Sequence, residues 1–239
     1  MCAMASKSLG NGYGRAVRSS QSPLPNLGLP GLKGTFTTIL ADPPWQFQNR
    51  TGKVAPEHKR LRRYQTLTLD EICAMPVASH AKEKSHLYLW VPNALLEEGL
   101  AVMRAWGFIY KSNIVWHKIR KDGGPDGRGV GFYFRNVTEL VLFGIRGKMR
   151  TLQPGRTQVN ILKTRKQEHS RKPDEMYDII EACSPRPYLE LFARERRKGW
   201  TQWGDELDTY LHTRPIYKAY NGHSTGLVRT TRARGISST

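Results

Sequence analysis

Apolar and polar positions along the chain follow two different periods. Residues 36–41, 85–91, 139–144 and 188–193 are short, nearly continuous apolar runs, the pattern of strands buried on both faces of a sheet. Residues 108–118 read as a further strand, 158–162 as a short one, and 200–203 as a last, antiparallel one. Between these runs the spacing becomes helical. Leu96, Leu100 and Met103 fall on one face, with Asn93 placed to cap the helix and Gly107 to end it. Met176, Ile179, Ile180 and Cys183 share a face after Pro173. Thr68-Leu69-Asp70-Glu71 is a capping box, and the helix it opens must stop before Pro76. Strands alternating with helices predict an α/β fold with a mostly parallel sheet.

That periodicity is confined to residues 34–210. Residues 1–33 are rich in Gly, Ser, Asn and Pro without a period and read as a disordered basic arm; residues 211–239 read as a basic tail. Both lack Asp and Glu, and they carry four and five Lys or Arg respectively. No internal repeat is found, and 121–131 is a Gly-rich loop of mixed charge expected to be mobile.

The first strand ends in Asp42-Pro43-Pro44-Trp45. Two prolines fix φ and remove two N–H donors, so the strand cannot pair onward. The carbonyls of Asp42 and Pro43 are thereby expected to lack ladder partners and to point into the crevice at the strand's carboxyl end, where open α/β sheets bind ligands. A carboxylate, a prolyl carbonyl and an aromatic ring suit a planar heterocycle bearing an exocyclic amine. The first two accept its hydrogens, and the ring offers a stacking face worth about 1–3 kcal/mol per base in single-strand binders.

Charge narrows the partner. The 239 residues hold 38 Lys and Arg against 20 Asp and Glu, a net charge of +18. Much of the excess falls in two presumed loops. Residues 46–63 set Arg50, Lys53, Lys59, Arg60, Arg62 and Arg63 against Glu57, and residues 146–172 set nine cations against Glu168. Basic loops beside a crevice are a footprint for a phosphate backbone. The three cysteines, Cys2, Cys73 and Cys183, are widely spaced, with no Cys-x-x-Cys and no His pair at ligand spacing. A disulfide framework and a metal site are therefore not expected, and a reducing compartment fits. No apolar run approaches the ~20 residues a membrane span needs, and the N-terminus has no apolar leader core.

The tip resembles the signature of amino-group methyltransferases that act on adenine. The wider chain resembles one branch of them, the family of the catalytic subunit of the eukaryotic messenger-RNA adenine methylase, which also has compact bacterial and phage members. The resemblance runs from about 34 to 208. It includes Tyr64-Gln65-Thr66-Leu67, Leu87-Tyr88-Leu89-Trp90-Val91, Asn113-Ile114-Val115-Trp116-His117-Lys118, Lys172-Pro173-Asp174-Glu175 and Leu189-Glu190-Leu191-Phe192-Ala193-Arg194, in one order. It implies a Rossmann-like fold that uses S-adenosylmethionine, with a permuted motif order: catalytic strand early, cofactor strand late. Asp42 and Glu190 stand in that order.

The resemblance also implies roles. Asp42 and the Pro43 carbonyl would hold the adenine amine, Pro44 would stiffen the tip, and Trp45 would stack the base, with Tyr64 lining the pocket. Asp42 would also approach the cofactor. Glu190 would hold the ribose hydroxyls, Arg194 would lie near the ribose, and Lys172 would approach the methionine part. Arg197 stands where the family has a smaller polar residue. Asp205 and Glu206 stand where it has an amide pair reading the cofactor's adenine, and acids there accept but cannot donate. Arg60, Arg62 and Arg63 are candidate substrate-backbone contacts, and Trp90 and Trp116 read as core. A glycine-rich dinucleotide loop is lacking, in keeping with a cofactor that carries no pyrophosphate.

The expectation is therefore an enzyme, an adenine methyltransferase acting on nucleic acid, DNA ahead of RNA, cytoplasmic and of bacterial or phage origin. A protein glutamine methyltransferase is the second enzyme reading, although its tip usually presents Asn and Tyr where this chain has Asp42 and Trp45. A third reading is a non-catalytic nucleic-acid-binding subunit, which the intact tip argues against. A homodimer is the assembly considered.

Overall fold

The computed structural model describes residues 28–46, 66–126, 133–165, 171–205 and 207. The strands are β1 (Phe36–Ala41), β2 (Ala81–Val91), β3 (Ile109–Ile119), β4 (Thr138–Arg146), β5 (Ile161–Arg165), β6 (Tyr188–Leu191) and β7 (Trp200–Trp203). They form one seven-stranded sheet in the order β5-β3-β4-β2-β1-β6-β7. β4 runs antiparallel to both its neighbours and the other pairings are parallel. The predicted α/β class with a mostly parallel sheet therefore holds. The predicted antiparallel β7 does not: it pairs parallel to β6, Tyr188 against Trp200 and Leu191 against Trp203.

The helices are α1 (Leu69–Ala74), α2 (Val77–His80), α3 (Leu96–Ala105) and α4 (Glu175–Cys183). The capping box forms as predicted: the Glu71 N–H donates to Thr68 Oγ1 and the Thr68 N–H to Glu71 Oε2 at 2.7 Å. α4 buries the predicted face of Met176, Ile179, Ile180 and Cys183. α3 departs from expectation. Asn93 opens a 3-10 turn instead of capping, and its Nδ2 donates to Thr138 at 3.0–3.1 Å. The buried face of α3 is Gly99, Val102 and Met103, and Leu96 is exposed. Gly99 is required here, because a Cβ would fall 2.6 Å from a Val91 methyl.

The sheet separates two apolar layers. One gathers Ile39, Leu87, Leu89, Val102, Met103 and Trp106 beneath α1 and α3; the other gathers Leu40, Trp90, Trp116, Leu162 and Ile180 beneath α4. Leu29 is buried in the first, and the Trp203 indole donates to the Pro30 carbonyl. Residues 29 and 30 thus pack against the domain. The rest of the basic arm and the whole 211–239 tail lie outside the described residues. Among the described residues no helix is long and apolar enough to cross a membrane.

Candidate active site

Asp42 leaves the carboxyl end of β1, between β2 and β6. Lys172 lies just ahead of α4 and meets it: Nζ stands 3.0 Å from Asp42 Oδ2 and 3.3 Å from Glu139 Oε2. Glu139, at the entry of β4, also pairs with Lys118 on β3. Four charges of alternating sign, Asp42, Lys172, Glu139 and Lys118, therefore run across the ends of β1, β4 and β3. Trp90 and Trp116 form their floor. The Lys172 ammonium lies 5.1 Å from the Trp90 ring and Lys118 4.8 Å from that of Trp116, and the rings meet edge to face at 5.7 Å.

The lattice sets the charge states. Burial works against the Glu139 carboxylate, but Lys172 and Lys118 outweigh it and hold its pKa down at about 2. Burial likewise disfavours the Lys172 ammonium, yet Asp42 and Glu139 raise its pKa. Glu139 escapes sequence reasoning, because a lone acid at a strand start carries no local signal of a lysine 33 positions away.

On the other side of Asp42 stands Glu190, in β6. Tyr177 Oη donates to its Oε1 at 2.6 Å and Gln202 Nε2 to its Oε2 at 2.8 Å. Burial is the main influence on this carboxylate and raises its pKa; the two donors and Arg197 pull only partly against it. Arg197 lies 3.7 Å from the Tyr177 ring centroid and donates to Asp174 Oδ1 at 2.5 Å. The residue that sequence reasoning leaves without a role thus covers Tyr177. Beyond Glu190 the chain turns sharply at Phe192, a non-glycine residue at φ 63°. The Ala193 N–H donates to the Trp203 carbonyl at 3.0 Å, and Gly204 fits only because it lacks a Cβ, which would fall 2.2 Å from the Ala193 carbonyl oxygen. This turn brings Arg194 into the crevice lining. Asp42, Trp90, Lys172, Tyr177, Glu190 and Arg194 line one crevice.

Two expectations for the tip need correction. The Pro43 carbonyl is not free of backbone donors: the Trp45 N–H closes a tight turn onto it at 2.8 Å, and the Pro44 carbonyl accepts from the Leu67 N–H at 2.9 Å. Trp45 offers no open stacking face. It is 7% exposed, and its indole donates to the Trp90 carbonyl at 2.9 Å. A buried indole N–H needs a partner, and this one ties the tip to the end of β2. Trp90 and Trp116 are core, as read from the sequence. Asp205 is exposed and outside the crevice lining. Arg60, Arg62, Arg63, Tyr64 and Glu206 lie outside the described residues.

The donor set fits S-adenosylmethionine. Glu190 would offer a carboxylate to ribose hydroxyls and Lys172 a cation to a methionine carboxylate, and both line one crevice. Among the described residues no cluster of His, Cys, Asp or Glu could hold a metal ion.

The MT-A70 family profile matches residues 36–206. Among similar proteins, an N(6)-adenosine-methyltransferase MT-A70-like protein of Arabidopsis thaliana is 32% identical over 181 residues, 74% of this chain and 24% of that protein. The type II methyltransferase M.MunI of a Mycoplasma species is 29% identical over 188 residues, 72% of this chain and 78% of that protein. The N(6)-adenosine-methyltransferase catalytic subunit METTL3 of Homo sapiens is 28% identical over 181 residues, 74% of this chain and 29% of that protein. The matched region spans about a quarter of the length of the Arabidopsis and human relatives. With the profile covering the strand that carries Asp42, the lysine before α4 and the strand that carries Glu190, the chain belongs to the MT-A70 family.

Proposed function

We propose that the protein transfers a methyl group from S-adenosylmethionine to the exocyclic amine of adenine in nucleic acid, with DNA ahead of RNA. The observation that carries this reading is the meeting of Asp42, Lys172 and Glu190 in one crevice at the carboxyl ends of β1 and β6. The likeness takes in 78% of a type II methyltransferase, and this supports the preference for DNA.

Glu190, oriented by Tyr177 and Gln202, would hold the ribose hydroxyls, with Arg194 lining the same crevice. A carboxylate accepting one bond on each oxygen keeps lone pairs for further donors. Lys172 would hold the methionine carboxylate, kept in place by Glu139 from behind. When bound, the cofactor supplies a methyl group already activated on a sulfonium. Asp42 then has two partners to choose between, Lys172 and the adenine amine. Accepting a hydrogen bond from the amine localises the nitrogen lone pair, and the carboxylate offsets the positive charge that develops on nitrogen. The Pro43 carbonyl, which already accepts from Trp45, has its second lone pair for the amine's other hydrogen. Holding base and methyl group in line supplies much of the remaining rate gain. In a duplex the base must first leave the stack, which costs a few kcal/mol.

The test is to incubate the protein with S-adenosylmethionine and either duplex DNA or RNA, digest the product and identify nucleosides by mass spectrometry. Methylated deoxyadenosine is the expected product. Methylated adenosine alone would reverse the preference between the two nucleic acids, and neither product would overturn the reading.

A further inference from the structure

Among the described residues two aromatic side chains stand far more exposed than the rest, Tyr110 at 40% being next. Tyr133 is 93% exposed and Phe134 85%, whereas Trp45, Trp90, Trp106, Trp116, Trp200, Phe36 and Phe108 are each 8% exposed or less. Adjacent, fully presented rings of this size are not needed for the core, and an exposed apolar pair marks a contact surface.

Their place in the fold says which surface. They precede β4, whose reversed direction puts its first residues at the same end of the sheet as the Asp42 tip. The intervening backbone is fixed: the Lys118 N–H donates to the Val137 carbonyl at 2.8 Å, and Thr138 accepts from Asn93. Glu139, which holds Lys172, lies five positions beyond Phe134, so the ring stands at most about 18 Å of chain from the charged lattice. Arg135, next to Phe134, is exposed, as is Lys121 in the turn that follows β3. The acids nearby are engaged or buried: Asp122 pairs with Arg120, Glu139 with two lysines, and Asp126 in the turn after β3 is 4% exposed. The rim around the rings is therefore positive, on a chain of net charge +18.

We propose that Tyr133 and Phe134, with Arg135 beside them, form a stacking clamp that takes nucleobases flanking the target adenine while the cations hold the backbone. Aromatic rings stack bases of any identity, and the cations suit phosphate. A second copy of this chain is the poorer occupant, since it would bring another positive rim against this one. The proposal rests on the nucleic-acid methyltransferase reading but needs no catalysis to be tested.

Binding of a fluorescein-labelled DNA strand, and of the duplex made from it, is measured by anisotropy without cofactor, at several salt concentrations. The Tyr133→Ala/Phe134→Ala protein should melt like the wild type, because neither ring is packed. It should bind the single strand at least about tenfold more weakly, since one stacked base is worth about 5- to 150-fold, with the salt slope unchanged. Tyr133→Phe/Phe134→Tyr, which keeps both rings, should bind like the wild type. Arg135→Ala/Lys121→Ala should instead lower the slope of log affinity against log salt, by about one for each phosphate that is no longer neutralised. If the double alanine protein binds as tightly as the wild type, the clamp is wrong. It is equally wrong if that protein only turns a dimer into a monomer, seen by light scattering, with affinity intact. Should the wild type transfer no methyl group while the alanine protein still loses binding, the methyltransferase reading falls and the clamp stands.

Discussion

Glu139 and Glu190 are both partly withdrawn from water, at the ends of neighbouring regions of one sheet, and they respond in opposite ways. Glu139 sits between two ammonium groups, and its pKa is held down at about 2. Glu190 sits between a phenol and a carboxamide, and burial lifts its pKa. Neutral donors fix the position of a carboxylate without cancelling the cost of its charge; cations do both. The difference matches the uses proposed for the two regions. The β3–β4 side needs a permanently charged brace for Lys172. The β6–β7 side needs an oriented acceptor that still gains when hydroxyl donors arrive.

The severest way to disturb the charged arm is at its working end. Asp42→Ala should lower methyl transfer by about a thousandfold, the upper end of the roughly 10²–10³ that a single oriented transition-state hydrogen bond contributes. The fold should survive, because Lys172 keeps Glu139 as a partner. Near-native activity in the nucleoside assay would remove Asp42 from catalysis.

Next in size is the brace itself. Glu139→Gln leaves Lys118 and Lys172 facing an uncharged amide among tryptophans. Removing one partner of a buried ion pair costs about 3–5 kcal/mol, and the side chains here keep some contact with water, so about 2–3 kcal/mol is expected. For a domain of this size that is a melting temperature lower by roughly 5–10 °C. The same variant should raise KM for S-adenosylmethionine more than it lowers kcat. An unchanged melting temperature would show that the lattice is not a brace.

Acid should undo the brace without mutation. The pKa of Glu139 is depressed on folding, so its contribution is present above the usual carboxylate value and is lost as pH falls from about 4.5 to about 2. A stability loss on the order of 1–2 kcal/mol is expected across that window. Denaturant melts at stepped pH should show it in the wild type and largely lack it in Glu139→Gln. Matching curves for the two proteins would mean that other carboxylates dominate.

Some of this architecture is written locally and some is not. The end of β1 at Ala41, the Thr68–Glu71 capping box and the buried face of α4 are legible because each depends on neighbouring residues of the chain. The direction of β7 is not. Only residues 192–199 separate it from β6, and so short a link suggests a hairpin, since parallel crossovers usually take a dozen residues or more. The chain manages it through the left-handed turn at Phe192 and the contact of Gly204 with Ala193, neither of which has a hairpin's sequence signature. The site divides in the same way. Asp42, Lys172 and Glu190 stand in local motifs, whereas Glu139, Tyr177 and Gln202 act on them from 33, 13 and 12 positions away. Trp45 misleads because the same indole suits a stack or a buried strut, and only the Trp90 carbonyl decides between them.

The smallest change in stability, and the sharpest contrast with Glu139, is expected at Glu190. Its folded pKa is raised, so the folded protein holds that proton better than the unfolded chain, and at neutral pH the ionised group is a net cost. Glu190→Gln removes the charge and keeps the shape. The amide oxygen can accept from Gln202, and its NH2 can donate to the Tyr177 oxygen. Stability should therefore stay within about 1 kcal/mol of the wild type, on the higher side. Cofactor affinity should fall all the same. A hydrogen bond to a charged acceptor is worth about 1.5–3 kcal/mol, which is about 10- to 150-fold in binding, and the amide replaces a charged acceptor with a neutral one. Calorimetric melting and titration with S-adenosylmethionine on the same preparation separate the two effects. If Glu190→Gln lowers the melting temperature as far as Glu139→Gln does, Glu190 belongs to the scaffold and the two regions do not differ in kind. If it melts like the wild type and binds the cofactor equally well, the ribose hydroxyls are held elsewhere.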